Sequence, residues 1–401
     1  MMNMAGPLSQ VKVLELRGRG PGPFGAMVLA DLGAQVIALD RPEVADTRHA
    51  ADRPAAPGET GTERMINGRR QIDPVQRGRR TLAIDLKTPQ GLAAALRLAD
   101  HADVLVEGNR PGVAERLGIG PQVCLARNPR LVYARITGWG QDGPLARTPG
   151  HDLNYVALSG TLDLLRHNDG RPVPPLNLLG DYGGGGMLLV IGILAALQER
   201  THSGRGQVVD AAMSDGIALL TTVVHGMRAE GLWSDTPGGN VLDLAAPFYN
   251  VYRTADDRWV SVGCGEPRFY AQLLDRLGLT DELLPHQSDP ATWPAATARI
   301  AEAFATGTFD HWCALLEGTD TCFAPVLTLD EAAAHPHHRA RGTFTTVDGV
   351  VQPAPAPRFD RTPAAPPRPP TAQDPAAVLR DWGIATTDID ELLRGGAVTE
   401  G

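Results

Sequence analysis

The sequence predicts an α/β fold built on a parallel sheet covered by helices, and three observations carry that prediction. Short apolar runs of strand length alternate with helix-forming stretches through the first 140 residues, the rhythm of consecutive βαβ units. Proline and capping residues stand where a helix should open, as at Thr88-Pro89. The chain has 401 residues, 43% of them hydrophobic and 21% charged, enough for a large core and for more than one domain.

Val11 to Leu16 reads as a buried strand and Phe24 to Leu32 as the helix after it. Gln35 to Leu39 is the second strand and Thr81 to Leu86 the third. Between Glu43 and Arg80 the chain is polar and arginine-rich with little apolar periodicity, the pattern of a long loop or insertion. Asp103 to Val106 and Leu131 to Ile136 complete the series. Met187 to Leu197 is an apolar helix ending in Gln198-Glu199-Arg200. Farther on, Phe248 to Arg253 and Trp259 to Val262 form a hairpin around Ala255-Asp256-Asp257. Pro353 to Pro375 is a proline-rich strap, and Thr386-Thr387-Asp388 caps a last short helix.

The net charge of -9 gives no electrostatic reason to expect nucleic acid. Cys124, Cys264, Cys313 and Cys322 have no CxxC spacing and read as buried thiols of a reducing compartment. The first residues show no secretory pattern, so a cytoplasmic location is expected. The apolar run from Gly183 to Leu197, fifteen residues, is too short for a membrane span. Gly18-Arg19-Gly20 and Asp40 resemble the start of a dinucleotide fold, but Pro23 stands where the fingerprint requires glycine. A nicotinamide-dependent dehydrogenase is therefore disfavoured.

Chemistry concentrates in Gly150-His151-Asp152-Leu153-Asn154-Tyr155 and in Gly180-Asp181-Tyr182 followed by glycines 183 to 186. A histidine and a carboxylate, both beside glycine, supply two proton-transfer groups, and a helix beginning just after Asp181 offers N–H donors for an oxyanion. Taken singly, Asp181 reads better as a helix cap and His151 as a satisfied loop histidine.

Together with Pro21 to Gly33, Asp40-Arg41-Pro42, Ile84-Asp85-Leu86-Lys87, Arg110-Pro111-Gly112, Tyr133 to Gly138, Pro175 to Leu178, Gly206 to Asp210, Asn240 to Asp243, Ala246 to Tyr249, Glu266-Pro267 and Pro325-Val326, these segments resemble the α-methylacyl-CoA racemases of the family III CoA-transferase (CaiB/BaiF-type) superfamily. The resemblance runs from about Leu8 to about Arg361. It implies an interlocked homodimer of that superfamily's fold. A Rossmann-like large CoA-binding domain would take residues 1–200 and a return segment 331–401, and a smaller α+β domain residues 201–330. It also implies a lipid-metabolic isomerase that inverts the α-carbon of 2-methylacyl-CoA thioesters through an enolate. His151 would deprotonate the S epimer and Asp181 the R epimer, with Glu266 as partner of the histidine. The alternatives are a CoA-transferase using Asp181 as a covalent nucleophile and a non-catalytic CoA-thioester binder.

For the CoA handle, Arg41 ends the second strand at the crevice where α/β sheets bind nucleotides. By resemblance Ile84, Asp85, Leu86 and Lys87 follow it, and Arg110 is a further phosphate candidate. Gly150, Asp152, Leu153, Asn154, Tyr155 and Gly183 are expected against the substrate, and the glycine run is expected to let backbone approach the thioester. Arg69, Arg70, Arg77, Arg79 and Arg80 are possible phosphate contacts or solvated charges. No metal, flavin or nicotinamide is expected, CoA being part of the substrate. Where the racemases typically have Asp-Gly-Gly-Ala-Pro this chain has Asp243-Leu244-Ala245-Ala246-Pro247, and Cys264-Gly265 replaces the usual Ala-Ile before Glu266. These departures leave the acyl group open.

Overall fold

The computed structural model describes residues 6–42, 60–66, 72–167, 169–279, 286–369 and 374–400. It divides into two compact units, the first comprising Met1–Ser159, Pro175–Leu220 and Gly342–Gly401, the second Gly160–Pro174 and Thr221–Arg341.

The first unit opens with β1 (Lys12–Leu16), α1 (Pro21–Asp31) and β2 (Gln35–Asp40). Next come β3 (Arg79–Ala83), α2 (Pro89–Asp100), β4 (Val104–Glu107) and β5 (Val132–Thr137). α1 starts on Pro21 with Pro23 two residues later, positions where a missing N–H costs the helix no internal bond. The Thr88 hydroxyl accepts the Gly91 N–H at 3.0 Å and caps α2. β4 and β5 are buried along their whole length, the mark of a parallel sheet covered on both faces.

β3 begins two residues earlier than its apolar run, and Ile84 to Lys87 lie beyond its end. The reason is electrostatic. Arg79, 3% exposed, pairs with the buried Glu15 at 3.1 Å and donates to the Pro23 carbonyl, so a charged residue fits inside the sheet. Arg77 is likewise buried against Asp31 and donates to Gln352 at 2.8 Å, and Arg80 pairs with Asp381 at 2.8 Å. None of these three is a solvated loop charge; Arg69 and Arg70 lie outside the described residues.

The chain continues through α3 (Asp152–Leu158), a π-helix (Leu178–Met187), α4 (Leu188–Ser203), β6 (Val208–Ala212) and α5 (Met213–Leu220). The π-helix and α4 run on as one helix of 26 residues, apolar and long enough by composition to cross a bilayer. The run is longer than the sequence indicated because the turn carrying Asp181 is itself helical. Its glycines 184 to 186 and Leu189, Val190, Ile193 and Ala196 are buried in the first unit.

The second unit carries the antiparallel sheet β7 (Tyr249–Arg253), β8 (Trp259–Gly263) and β9 (Phe323–Pro325). Its core gathers Phe248, Tyr252 and Val260 with Tyr270, Leu273, Trp293, Phe304 and Trp312 from α6 (Pro267–Leu277), α7 (Trp293–Phe304) and α8 (Phe309–Leu316). Tyr252 stacks on Phe304 at 5.2 Å between ring centres.

The return segment adds the hairpin β10 (Phe344–Val347) and β11 (Val350–Pro353), then α9 (Pro375–Trp382), α10 (Thr386–Arg394) and β12 (Thr399–Glu400). β12 pairs antiparallel with β3, and the seven-stranded sheet runs β12-β3-β2-β1-β4-β5-β6. The strand order reverses between β1 and β4, so the crevice of a doubly wound sheet opens at their carboxyl ends.

Candidate functional site

The segments that follow the central strands carry the candidate residues. Arg41 follows β2, Ile84 to Lys87 follow β3, and Arg110 follows β4. Arg41, Lys87 and Arg110 are exposed, whereas Ile84 is buried and its N–H donates to the Asp40 carbonyl at 2.8 Å. Asp85 Oδ1 accepts the Lys87 N–H at 2.9 Å, fixing the turn. Glu107, buried at the end of β4, pairs with Arg135 at 2.8 Å and accepts the Asn109 N–H at 2.7 Å, which shapes the loop leading to Arg110. Before Arg41, Asp40 is buried beside Arg17 at 2.7 Å; burial, opposed by Arg17, pushes its carboxyl up to about 7.

Asp181 sits in the first turn of the π-helix, whose N-cap is Asn177. It is therefore not the cap of the helix. A π-turn widens the helix by running its bonds from i to i+5, and such turns recur at functional sites. Asn177 Nδ2 donates to Asp181 Oδ2 at 3.2 Å. Gly20, at φ +67 before α1, lies so close that a Cβ there would stand 3.1 Å from Asp181 Oδ2. Burial raises the Asp181 carboxyl above its ordinary range; the Asn177 hydrogen bond lowers it, the Asp152 charge raises it and His151 lowers it. The His151 charge is the smallest of these influences on the Asp181 carboxyl.

His151 is the exposed N-cap of α3. Its backbone N–H donates to Asn154 Oδ1 at 3.0 Å and its carbonyl accepts the Asn154 N–H at 2.8 Å, so Asn154 holds the histidine's backbone. Leu153 is 47% exposed. Asp152 Oδ1 accepts the Asp181 N–H at 2.6 Å and Asp152 also takes the Gly180 N–H. Tyr155 is buried with its ring against Trp139, 4.6 Å between centres. A Cβ at Gly138 or Gly150 would fall 2.0 or 2.7 Å from that ring, so Gly150 and Tyr155 fit one another. Arg110 is near enough to act on the Tyr155 hydroxyl.

The glycine run serves packing more than approach to a ligand. Gly184 abuts the backbone of Gly216 and Ile217, Gly185 abuts Met213 and Pro21, and Gly186 abuts Phe24. Gly183 alone of the four is not buried. Asn177 and Gly20 were not singled out as site residues from the sequence. The spacing of Asn177 four residues before Asp181, a helical neighbour's spacing, is the signal that marks the first.

Glu266 belongs to the second unit, as the exposed N-cap of α6. Its carbonyl accepts the Phe269 and Tyr270 N–H groups at 3.0 and 3.1 Å, but its carboxylate makes no capping bond. Gln287 Nε2 donates to the neighbouring Gly265 carbonyl at 2.9 Å. In the same unit Leu244 adopts φ +73 and is 45% exposed, with its carbonyl accepting Asn250 Nδ2 at 2.8 Å. A leucine in that left-handed region costs about 1–2 kcal/mol relative to glycine.

Residues 8–375 match CoA-transferase family III. The chain is a member of this family. It is 44% identical over 390 residues to the mouse (Mus musculus) protein named alpha-methylacyl-CoA racemase, covering 96% of each chain. Its identity to the human (Homo sapiens) protein of the same name is 41%, with 96% of each covered. Among solved structures, a CaiB/BaiF-family protein of Brucella suis superposes with a TM-score of 0.77 at 26% identity, covering 94% of this chain and all of the other. The α/β fold expected from the sequence is that of this family, and these relatives point to no cofactor.

Proposed function

We propose that this family III CoA-transferase is a racemase of 2-methylacyl-CoA thioesters, in which His151 and Asp181 exchange protons with opposite faces of an enolate. The observation that carries this reading is that Asp152, next to His151 in the chain, accepts the Asp181 N–H at 2.6 Å, so a histidine-bearing segment meets a half-buried carboxylate beside Gly20, past the carboxyl end of β1. The naming of relatives 44% and 41% identical as racemases supports it. A thioester α-hydrogen is a weak acid, so its removal needs preorganised donors for the enolate oxygen. The N–H groups of Gly180 and Asp181 are taken by Asp152. The donors in this reading are the first N–H groups of α3, beside His151, which have no carbonyl partner within the helix. Inversion then requires one proton between the two carriers: one residue takes a proton as the other gives one.

Arg41, Lys87 and Arg110 hold the CoA phosphates, and CoA enters as part of the substrate, with no separate cofactor. The active form is a homodimer in which Glu266 partners the His151 imidazole. Leu176, Leu178 and Ile191 in the first unit, 74%, 60% and 62% exposed, support a covering second copy. A cytoplasmic location fits four free cysteines.

The test is to incubate a single 2-methylacyl-CoA epimer in deuterated water without an acceptor acid. Deuterium at the α-carbon together with epimerisation is the expected result. CoA movement only after an acceptor acid is added identifies a transferase instead, and neither outcome identifies a binder.

Leu244 sets acyl scope in this reading. Leu244→Gly is expected to raise Tm by relieving the strained φ and to improve kcat/KM for a sterol-sized acyl-CoA relative to a short one about tenfold, the effect of a methylene-sized change in an apolar pocket. An unchanged ratio removes Leu244 from the acyl path.

A further inference from the structure

Asp152 connects the two proton carriers. It directly follows His151 in the chain, and its carboxylate accepts the backbone N–H of Asp181 at 2.6 Å and that of Gly180. The contact is close enough that a Cβ on Gly180 would lie 2.2 Å from Asp152 Oδ1, so the glycine before Asp181 is fixed by this carboxylate. Asp152 therefore ties the start of α3 to the start of the π-helix. Building on the racemase reading above, we infer that Asp152 is a positioning residue of the reaction: it clamps the π-turn that carries Asp181 to the segment that carries His151, and its charge bears on the neighbouring Asp181 carboxylate.

Two roles follow from one side chain. As a clamp, Asp152 fixes the separation of the two carriers, and misplacement of reacting groups by an ångström is enough to lower a rate a hundredfold. As a charge, it opposes ionisation of Asp181 and so favours the protonated carboxyl that one direction of the reaction uses as its acid. A carboxyl that can both hold and release its proton keeps a single proton shareable between the carriers, as inversion requires. The groups facing Asp181 are the Asp152 carboxylate, the His151 imidazole, the Tyr155 hydroxyl and the neutral Asn177 amide. Gly20 approaches without a charge. Among these only Asp152 combines a negative charge with a bond to the Asp181 backbone.

The experiment compares wild type, Asp152→Asn and Asp152→Ala in kcat, KM and the pH profile of kcat/KM for epimerisation in both directions. The asparagine keeps an oxygen acceptor without the charge, and the alanine removes both. Asp152→Ala is expected to lower kcat about 10- to 100-fold with KM changed less than about threefold, within the range of general acid–base contributions. Asp152→Asn is expected to retain more of the rate and to move the acid limb of kcat/KM to lower pH, equally in both directions because the epimer equilibrium does not depend on pH. A residue that merely supports the fold lowers the rate without moving the limb. An unmoved limb in a folded Asp152→Asn protein, or a wild-type kcat in Asp152→Ala, overturns the inference. Absence of epimerisation in the wild type overturns the racemase reading itself, so the two failures are told apart.

Discussion

His151→Ala and Asp181→Asn are each expected to lower epimerisation at least about a hundredfold, and the second is expected to do so without loss of stability. The Asp181 carboxyl is raised above its ordinary range chiefly by burial. The folded state therefore binds a proton more tightly than the unfolded chain. Stability falls as pH rises from about 3.9, the ordinary aspartate value, through the raised one, and at neutral pH the ionised group costs the fold. An amide keeps the volume and the hydrogen bond to Asn177 while removing that cost, so the Tm of Asp181→Asn at pH 7 should equal or exceed wild type. In wild type the same shift places the acid limb of kcat/KM above the usual carboxylate range, because the doubly protonated pair has no base. Wild-type turnover in either variant, or a rate flat across that limb in a folded protein, would remove these residues from the chemistry.

Gly216→Ala should be a severely damaging conservative change in the first unit. A Cβ there would stand 1.8 Å from the Gly184 carbonyl oxygen and 2.6 Å from its carbon. The obstacle is backbone, which no rotamer change can move, so α5 must separate from the π-helix. The expected loss is about 3 kcal/mol, read as a lower midpoint in urea, with a fall in activity because Gly184 shares its helix with Asp181. Gly226→Ala, in an exposed helix with nothing within 4 Å, is the control and should stabilise by about 0.5–1 kcal/mol. Equal midpoints for the two variants would show that the contact yields at little cost.

These outcomes also mark what the sequence made legible. Strands β1, β2, β4 and β5 were readable because burial on both faces leaves uninterrupted apolar runs, and α2 because Thr88-Pro89 is a local signal. β3 was misplaced at both ends because a buried arginine looks like a surface one until its carboxylate partner, Glu15, arrives from another strand. His151 and Asp181 stood out by residue type and neighbouring glycines. The π-turn did not, since its hydrogen-bond register follows from packing against α1 and α5 rather than from composition. For the same reason the glycine run, read as room for a ligand, is largely room for neighbouring helices. Arg77 and Arg79, read as phosphate contacts or solvated charges, are internal ion pairs.

The sheet core has an order of assembly written into it. Val378, Leu379, Trp382, Ile389, Leu392 and Val398 belong to the same buried cluster as Leu14, Ile37, Leu98 and Leu105, and the Trp382 indole donates to the Leu98 carbonyl at 3.0 Å. The second unit has its own core, drawn from residues 246 to 316. During synthesis that middle unit is complete while the preceding strands still wait, one apolar face open, for a segment the ribosome has not made. The nascent chain thus holds a finished module behind an unfinished one, the state in which chaperone capture and aggregation compete. A premature stop near residue 375 would accordingly behave as a core defect of the first unit rather than as the loss of a tail.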